Sequence, residues 1–217
     1  MRIAVLGTGR VGHALGSKLV SLGYQVTMGS RSAANEKAVA WAAGAGEGAS
    51  AATFADAAST AELVINATGG DHSIAALEQA GSANLAGKVL LDVSNPLDFS
   101  AGFPPRITHR GDDSLCEQIQ RAFPDTRVVK TLNTINCEVM VNPALAPGGN
   151  VFVGGNDEAA RAEARRLLQS FGWPDHDIVD CGDITSARGM EAYVVFWVRL
   201  MNVEGTAHFN IRIVRGA

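Results

Sequence analysis

The sequence predicts an α/β domain built on a doubly wound, mainly parallel sheet, and three observations predict it. Apolar runs of strand length alternate with helix-length segments along most of the 217 residues. The first run, Met1 to Leu6, enters a glycine-rich turn, Gly7-x-Gly9-x-x-Gly12, which opens a helix. The polar, glycine-rich breaks of the first half all fall at the carboxyl ends of strands, the edge where open parallel sheets bind ligands.

The elements follow in order. The first helix spans roughly His13 to Leu22, and Gly23 ends it. Tyr24 to Met28 is a second strand, stopped at Gly29-Ser30-Arg31, and Ala33 to Ala43 is an alanine-rich helix. Ala51 to Phe54 reads as a short third strand, Asp56 to Ala61 as a brief helix, and Glu62 to Ala67 as a fourth strand ending at Gly69-Gly70. A helix over Ser73 to Ala80 and a strand over Lys88 to Val93 come next. Ser94 to Asp113 is a long irregular stretch, of the kind that is usually functional or mobile. Helix Ser114 to Phe123 leads to strand Arg127 to Leu132, then to a short helix and proline-bounded turn over Asn136 to Gly149. Asn150 to Val153 is a further strand. Asp157 caps the amphipathic helix Glu158 to Phe171, whose Arg161, Arg165 and Arg166 read as solvated surface. His176 to Cys181 is the last sheet strand, and the tail from Phe209 to Val214 reads as one more short strand. The final helix, about Ser186 to Val203, is apolar on more than one face. It is expected to pack one face on its own sheet and another on a second copy in a two-fold dimer. Cover by the tail is the alternative. With no linker or repeat, residues 1–217 are expected to form one domain.

Composition narrows the function. A formal charge of −4 argues against a nucleic-acid binder. The first apolar run is too short for a secretory leader, and Ala192 to Val198 is too short to span a bilayer, so a soluble cytoplasmic protein is expected. Cys116, Cys137 and Cys181 share no metal-ligand spacing and read as reduced thiols. There is no Ser/His/Asp set, no paired carboxylates at recognisable spacing and no metal motif, so no catalytic residue is assigned. Hydride transfer between flat rings fits that absence: it needs mainly alignment, and the cofactor carries the chemistry.

The glycines carry the first assignment. Gly7 makes the tight turn, Gly9 lets backbone approach a pyrophosphate, and Gly12 lets helix and strand pack closely. The helix start then faces the phosphates. A strand before the motif and a helix after it argue against a ligand-free turn, and the fold is of the Rossmann type. At the end of the second strand an NAD site usually places a carboxylate on the ribose 2′-hydroxyl. Here Ser30, Arg31 and Ser32 stand instead, with Lys37 nearby, offering donors and cations to a 2′-phosphate. NADP(H) is the expected cofactor. Ala67, Thr68, Gly69 and Gly70 can present backbone to the nicotinamide ribose, and Asn95-Pro96 can line a ring pocket. His72 reads as an orienting group or a histidine bonded at its helix start. Lys130, inside an apolar strand, calls for an ion pair or a function.

Taken together, the Val5-to-Gly9 loop, Gly29-Ser30-Arg31, Asp92-to-Pro96, Val129-to-Thr134 and Asp180-to-Glu191 resemble the F420-dependent NADP oxidoreductase family. The cytoplasmic domain of the six-transmembrane metalloreductases is similar and works with a flavin. The resemblance implies hydride exchange between NADPH and the deazaflavin coenzyme F420. It implies Thr8, Arg10 and Val11 at the pyrophosphate, Ser30 and Arg31 at the 2′-phosphate, and Ala67 to Gly70 with His72 by the nicotinamide and the second ring. Where archaeal members carry a proline and a bulky aromatic after strand four, this chain has Gly69 and Gly70, which implies a wider ring pocket. An NADPH reductase of a flavin or another small acceptor, and a non-enzymatic NADPH sensor, are the competing readings. In the enzyme, a second flat pocket should be bordered by Gly69, Gly70, His72, Asn95, Pro96, Thr134 and Ile135, with Leu97 to Asp113 closing over it.

Overall fold

The computed structural model describes residues 1–108, 111–214 and 216. The apolar residues of the first strand, β1 (Arg2–Leu6), alternate in direction: Ile3 and Val5 enter one core layer, Ala4 and Leu6 the other. That alternation requires helices on both faces of the sheet, and the chain supplies them. In order come α1 (Arg10–Ser21), β2 (Gln25–Ser30), α2 (Glu36–Ala45), β3 (Ala49–Thr53), α3 (Phe54–Thr60) and β4 (Leu63–Asn66). Then follow α4 (Gly70–Ala80), α5 (Ser82–Leu85), β5 (Val89–Asp92), and a small hairpin of β6 (Leu97–Asp98) and β7 (Arg106–Ile107). The chain continues through α6 (Leu115–Ala122), β8 (Arg127–Thr131), α7 (Cys137–Val141), β9 (Val151–Gly154), α8 (Glu158–Phe171), β10 (Ile178–Asp180) and α9 (Ala187–Glu204).

The main sheet has the order β10-β9-β8-β5-β4-β1-β2-β3. Strands β3, β2, β1, β4, β5 and β8 are mutually parallel, whereas β9 runs antiparallel to β8 and parallel to β10. The strand order reverses direction at β1 and β4, so their carboxyl ends open a crevice at the sheet's switch point. The expected doubly wound, mainly parallel α/β fold is thus the observed one.

Local signals set most helix starts. Asn35, Thr53, Ser114, Asn136 and Asp157 each accept a backbone N–H of the following helix. Such caps contribute about 1 kcal/mol each. Ser114 and Glu117 form a reciprocal box, and Arg188 of α9 closes on Glu117 at 2.6 Å.

Several expectations need correction. The helix expected from Ser73 begins at Gly70, because Gly69 takes the cap position. The irregular stretch after β5 contains the antiparallel hairpin β6–β7; His109 and Arg110 of that stretch lie outside the described residues. Arg161 and Arg165 are engaged with Asp180 and Asp175 rather than merely solvated. The tail is not a strand. It is an extended segment held in large part by Asn150: Asn150 N–H donates to the Ile211 carbonyl, Asn150 Oδ1 accepts from Ile213 N–H, and Asn210 Nδ2 donates to the Asn150 carbonyl. Its Phe209 stacks on Trp197 of α9 at 5.4 Å. Helix α9 buries Ala187, Met190, Val194 and Val198 at helical spacing and leaves Val195, Phe196 and Val203 exposed.

Candidate functional site

The crevice at the switch point consists of two joined clefts. One, of about 360 Å³, runs from Gly7, Thr8 and Gly9 past Ser30, Arg31 and Asn35 to Phe54, Ala75, Ala76 and Gln79. The other, of about 490 Å³, is walled by Val11 and Gly69 to His72 on one side and by Val93 to Asn95 and Leu97 to Ser100 on the other. Ala67, Thr68, Gly69 and His72 line both, so the two form one continuous channel. The phosphate loop sits between the ends.

Each loop glycine is explained by a contact. Gly7 has φ +122°, and a Cβ there would stand 2.5 Å from the Ala67 carbonyl oxygen at the end of β4. A Cβ on Gly12 would stand 2.1 Å from the Gly7 carbonyl, so α1 packs directly on the turn. Around Gly9 nothing lies within 4 Å of that position. Gly9 caps α1 without a side-chain acceptor, which leaves the helix start open toward an anion. This is a cradle whose open side fits a pyrophosphate.

At the end of β2 the three polar residues separate. Ser30 is buried and donates its hydroxyl to the Ser32 carbonyl at 2.6 Å. Arg31 is exposed on the channel wall. The Ser32 hydroxyl oxygen accepts Ala34 N–H, which leaves its proton to donate outward. Lys37 lines an adjoining groove, of about 530 Å³, which shares Thr8 and Gly9 of the phosphate loop with the channel and continues past Arg10 and His13 to Cys137 and Glu138. Arg10 there lies 3.6 Å from Glu138, whose other oxygen pairs with His208 of the tail.

The ring end also divides the expected residues. Gly69 borders open space, the nearest atom to a Cβ there being His72 Cδ2 at 3.9 Å. Gly70 does not widen the pocket. A Cβ on it would lie 2.2 Å from the Asn95 carbonyl oxygen and 2.6 Å from Pro96 Cα, so this glycine lets the start of α4 pack on the opposite wall. Pro96 is buried behind that contact and does not line the cleft. Thr134 and Ile135 are buried too, and neither lines the cleft. His72 is exposed, lines both clefts, and its backbone N–H donates to the Gly69 carbonyl. The hairpin supplies the outer wall through Leu97, Asp98, Phe99 and Ser100.

Beneath the ring end lies a charged network that sequence reasoning only half found. Lys130 is fully buried, and its Nζ stands 2.8 Å from Asp92, 2.9 Å from Glu191 and 2.6 Å from the Ser94 carbonyl. Burial alone would push this ammonium's pKa down. The carboxylates of Asp92 and Glu191 more than reverse that and raise it, which favours the protonated form. Asp92 Oδ1 accepts from Asn66 Nδ2, Ser94 N–H and the Ser94 hydroxyl. Glu191 accepts the first N–H groups of α6, from Leu115 and Cys116. Cys116 beside them is inert: burial, then the Asp92 charge, push its thiol well up. The lysine was visible in sequence as a lone charge in an apolar strand. Its partners were not, because Glu191 is 61 positions away on a helix that reads as greasy.

Comparison with known proteins follows this geometry. Residues 2–96 match the family described as NADP oxidoreductase, coenzyme F420-dependent. The chain is 50% identical to a candidate F420-dependent NADP-reductase from Arthrobacter sp. FB24, whose crystal structure aligns over 99% of this chain and 100% of that one with a TM-score of 0.93. It is 29% identical over 192 residues to metalloreductase STEAP3 of Rattus norvegicus, covering 88% of this chain and 36% of that protein. It is 27% identical over 138 residues to the F420-dependent NADP reductase of Methanocaldococcus jannaschii, covering 63% of this chain and 60% of that one. The matches thus span less than two thirds of either curated relative.

Proposed function

Since the chain belongs to the coenzyme F420-dependent NADP oxidoreductase family, we propose that it transfers hydride between NADPH and a deazaflavin, F420, held in the ring cleft. The observation that carries this reading is the channel itself. One end offers an exposed arginine, with the Ser32 hydroxyl next to it in the chain, where NAD sites have a carboxylate. The middle is an open helix start, and the far end is a cleft of about 490 Å³ left unfilled above Gly69. A sensor would have had side chains packed into that end.

Gly9 and the first N–H groups of α1 would hold the pyrophosphate, Arg31 and Ser32 the 2′-phosphate, and Ala67 to Gly69 the nicotinamide ribose. NADPH supplies the hydride when bound. The protein's own contribution is alignment, with reacting atoms brought to roughly 3–3.5 Å. Thr68, Ser94 and Asn95 are fixed by hydrogen bonds and give the ring one rigid bed. The hairpin stands where it can exclude water from the reacting face. No side chain in the cleft needs to move a proton for this step.

A second reading, reduction of a flavin or another small acceptor, draws on the similarity to the metalloreductase, which extends over 88% of the chain. A panel of deazaflavin, free flavins, quinones and ferric chelates, followed at the nicotinamide absorbance band, separates the two. Fastest turnover with the deazaflavin supports the first, and turnover confined to flavins or chelates supports the second.

A two-fold homodimer through the outer face of α9 belongs to the same proposal. Phe209 covers Trp197, but Val195, Phe196 and Val203 stay exposed. Among the described residues no helix is long and apolar enough to cross a membrane, which is compatible with a cytoplasmic site of action.

A further inference from the structure

The structure assigns to Lys130 the part of a positioning residue: its buried ammonium ties the two walls of the ring cleft to one fixed point and so sets the geometry of hydride transfer. The proposal rests on the hydride-transfer reading.

The wiring is direct on the β5 side. Lys130 Nζ holds the Ser94 carbonyl at 2.6 Å, while its partner Asp92 holds the same residue's N–H and hydroxyl at 3.2 and 2.7 Å. Every polar group of Ser94, a cleft residue, is therefore anchored to one ion pair. On the β4 side Asp92 takes Asn66 Nδ2 at 2.9 Å, and Asn66 Oδ1 in turn takes the hydroxyl of Thr68 at 2.6 Å and its N–H at 3.3 Å. Thr68 stands where the two clefts join. Glu191 fastens the same ammonium to α9 and, through the Leu115 and Cys116 N–H groups, to α6.

Stability alone does not account for this arrangement. Taking three charges out of water is expensive, and apolar residues of similar volume often hold a core as well or better. What the network adds is a set of directed hydrogen bonds that fix two loop backbones to one point. A misplacement of 1 Å between reacting atoms can lower a rate about a hundredfold. The network touches neither Arg31 nor Gly9 and reaches the cofactor only through Thr68 at the nicotinamide end, so its loss should act chiefly on turnover and change cofactor affinity little.

The test is the charge-balanced variant K130M/E191Q, which removes one charge of each sign and leaves Asp92 its three hydrogen-bond donors. Three readouts are compared with the parent: NADPH Kd by fluorescence titration, kcat with the best acceptor, and the isotope effect from C4-deuterated NADPH. Expected are a Kd within threefold, a kcat at least tenfold lower and a larger isotope effect. A folded variant with kcat within threefold of the parent overturns the proposal. So does a parallel loss of kcat and NADPH affinity, which would mark a merely structural role. If the double variant does not fold, N66A decides, since it cuts the β4 wall from an intact ion pair: unchanged kcat overturns the assignment, and the same split supports it. Should the parent itself reduce no acceptor, the hydride-transfer reading fails. Fluorescence anisotropy of the bound nicotinamide then judges Lys130 separately, with loosening in the variant supporting the anchor and an unchanged signal overturning it.

Discussion

Gly69 and Gly70 are neighbours in sequence with opposite tolerances, and a single methyl group distinguishes them. In G70A the new Cβ begins 2.2 Å from the Asn95 carbonyl oxygen and 2.6 Å from Pro96 Cα. Both are backbone, so no side chain can swing away. Relaxing the closer contact to 3.0 Å, the least that real Cβ atoms tolerate, requires the wall to retreat about 0.8 Å from α4. That wall carries Ser94 and Asn95 of the ring cleft, so the displacement reaches the reacting geometry almost undiminished. The expected result is a loss of kcat on the order of 10² and a destabilisation of about 1–3 kcal/mol from overpacking. In G69A the nearest atom is His72 Cδ2 at 3.9 Å, an ordinary contact, so folding and NADPH binding should hardly change. The larger G69W should fill the ring end and abolish acceptor reduction, and it should also weaken NADPH binding, because Gly69 lines the nicotinamide end of the channel as well. Thermal melts, fluorescence titration with NADPH and steady-state turnover on the three variants complete the assay. Parental kcat and melting temperature in G70A, or normal turnover in G69W, would refute the placement of the second ring.

Other outcomes follow from the same geometry. R31A should erase most of the preference for NADPH over NADH, a loss of about 1.5–3 kcal/mol for a charge-assisted phosphate contact, read from the two dissociation constants; equal affinities in the parent would contradict it. F196E should shift a dimer to monomer by light scattering at micromolar concentration, whereas a parent already monomeric removes α9 as an interface. Acid should loosen the segment before α6. Hydrogen bonds from Arg121 hold the Asp113 carboxyl at about 2, below the usual 3.8, so its stabilising contribution is complete above about pH 4 and is lost as pH falls toward 2. D113N should remove that part of the acid dependence in pH-dependent melts.

Much of this molecule is legible in its sequence. Local periodicity and glycine placement suffice for the sheet, the phosphate loop and most helix boundaries, because each depends on residues within a dozen positions of one another. Gly7, Gly9 and Gly12 stand where the motif's logic puts them. The failures are of a different kind. The reason for Gly70 is a carbonyl 25 positions away, and Lys37, though close to Arg31 in sequence, lines the adjoining groove with Arg10 and Glu138. The tail alternates apolar and polar residues like a strand, yet its Ile211 carbonyl and Ile213 N–H go to the single residue Asn150 and it never joins the sheet. The Asp92–Lys130–Glu191 network joins two strands and a distant helix, and only tertiary packing brings it together.

The most direct test of the account follows the hydride itself. NADPH carrying deuterium at C4 is mixed with the protein and the oxidised deazaflavin, and the reduced product is analysed by mass spectrometry. The account predicts direct passage of the label to the deazaflavin ring carbon, one deuterium per turnover, for the label on one face of the nicotinamide. Absence of reduction, or reduced product whose label has been lost to solvent whichever face carried it, would contradict a cleft in which two rings meet face to face.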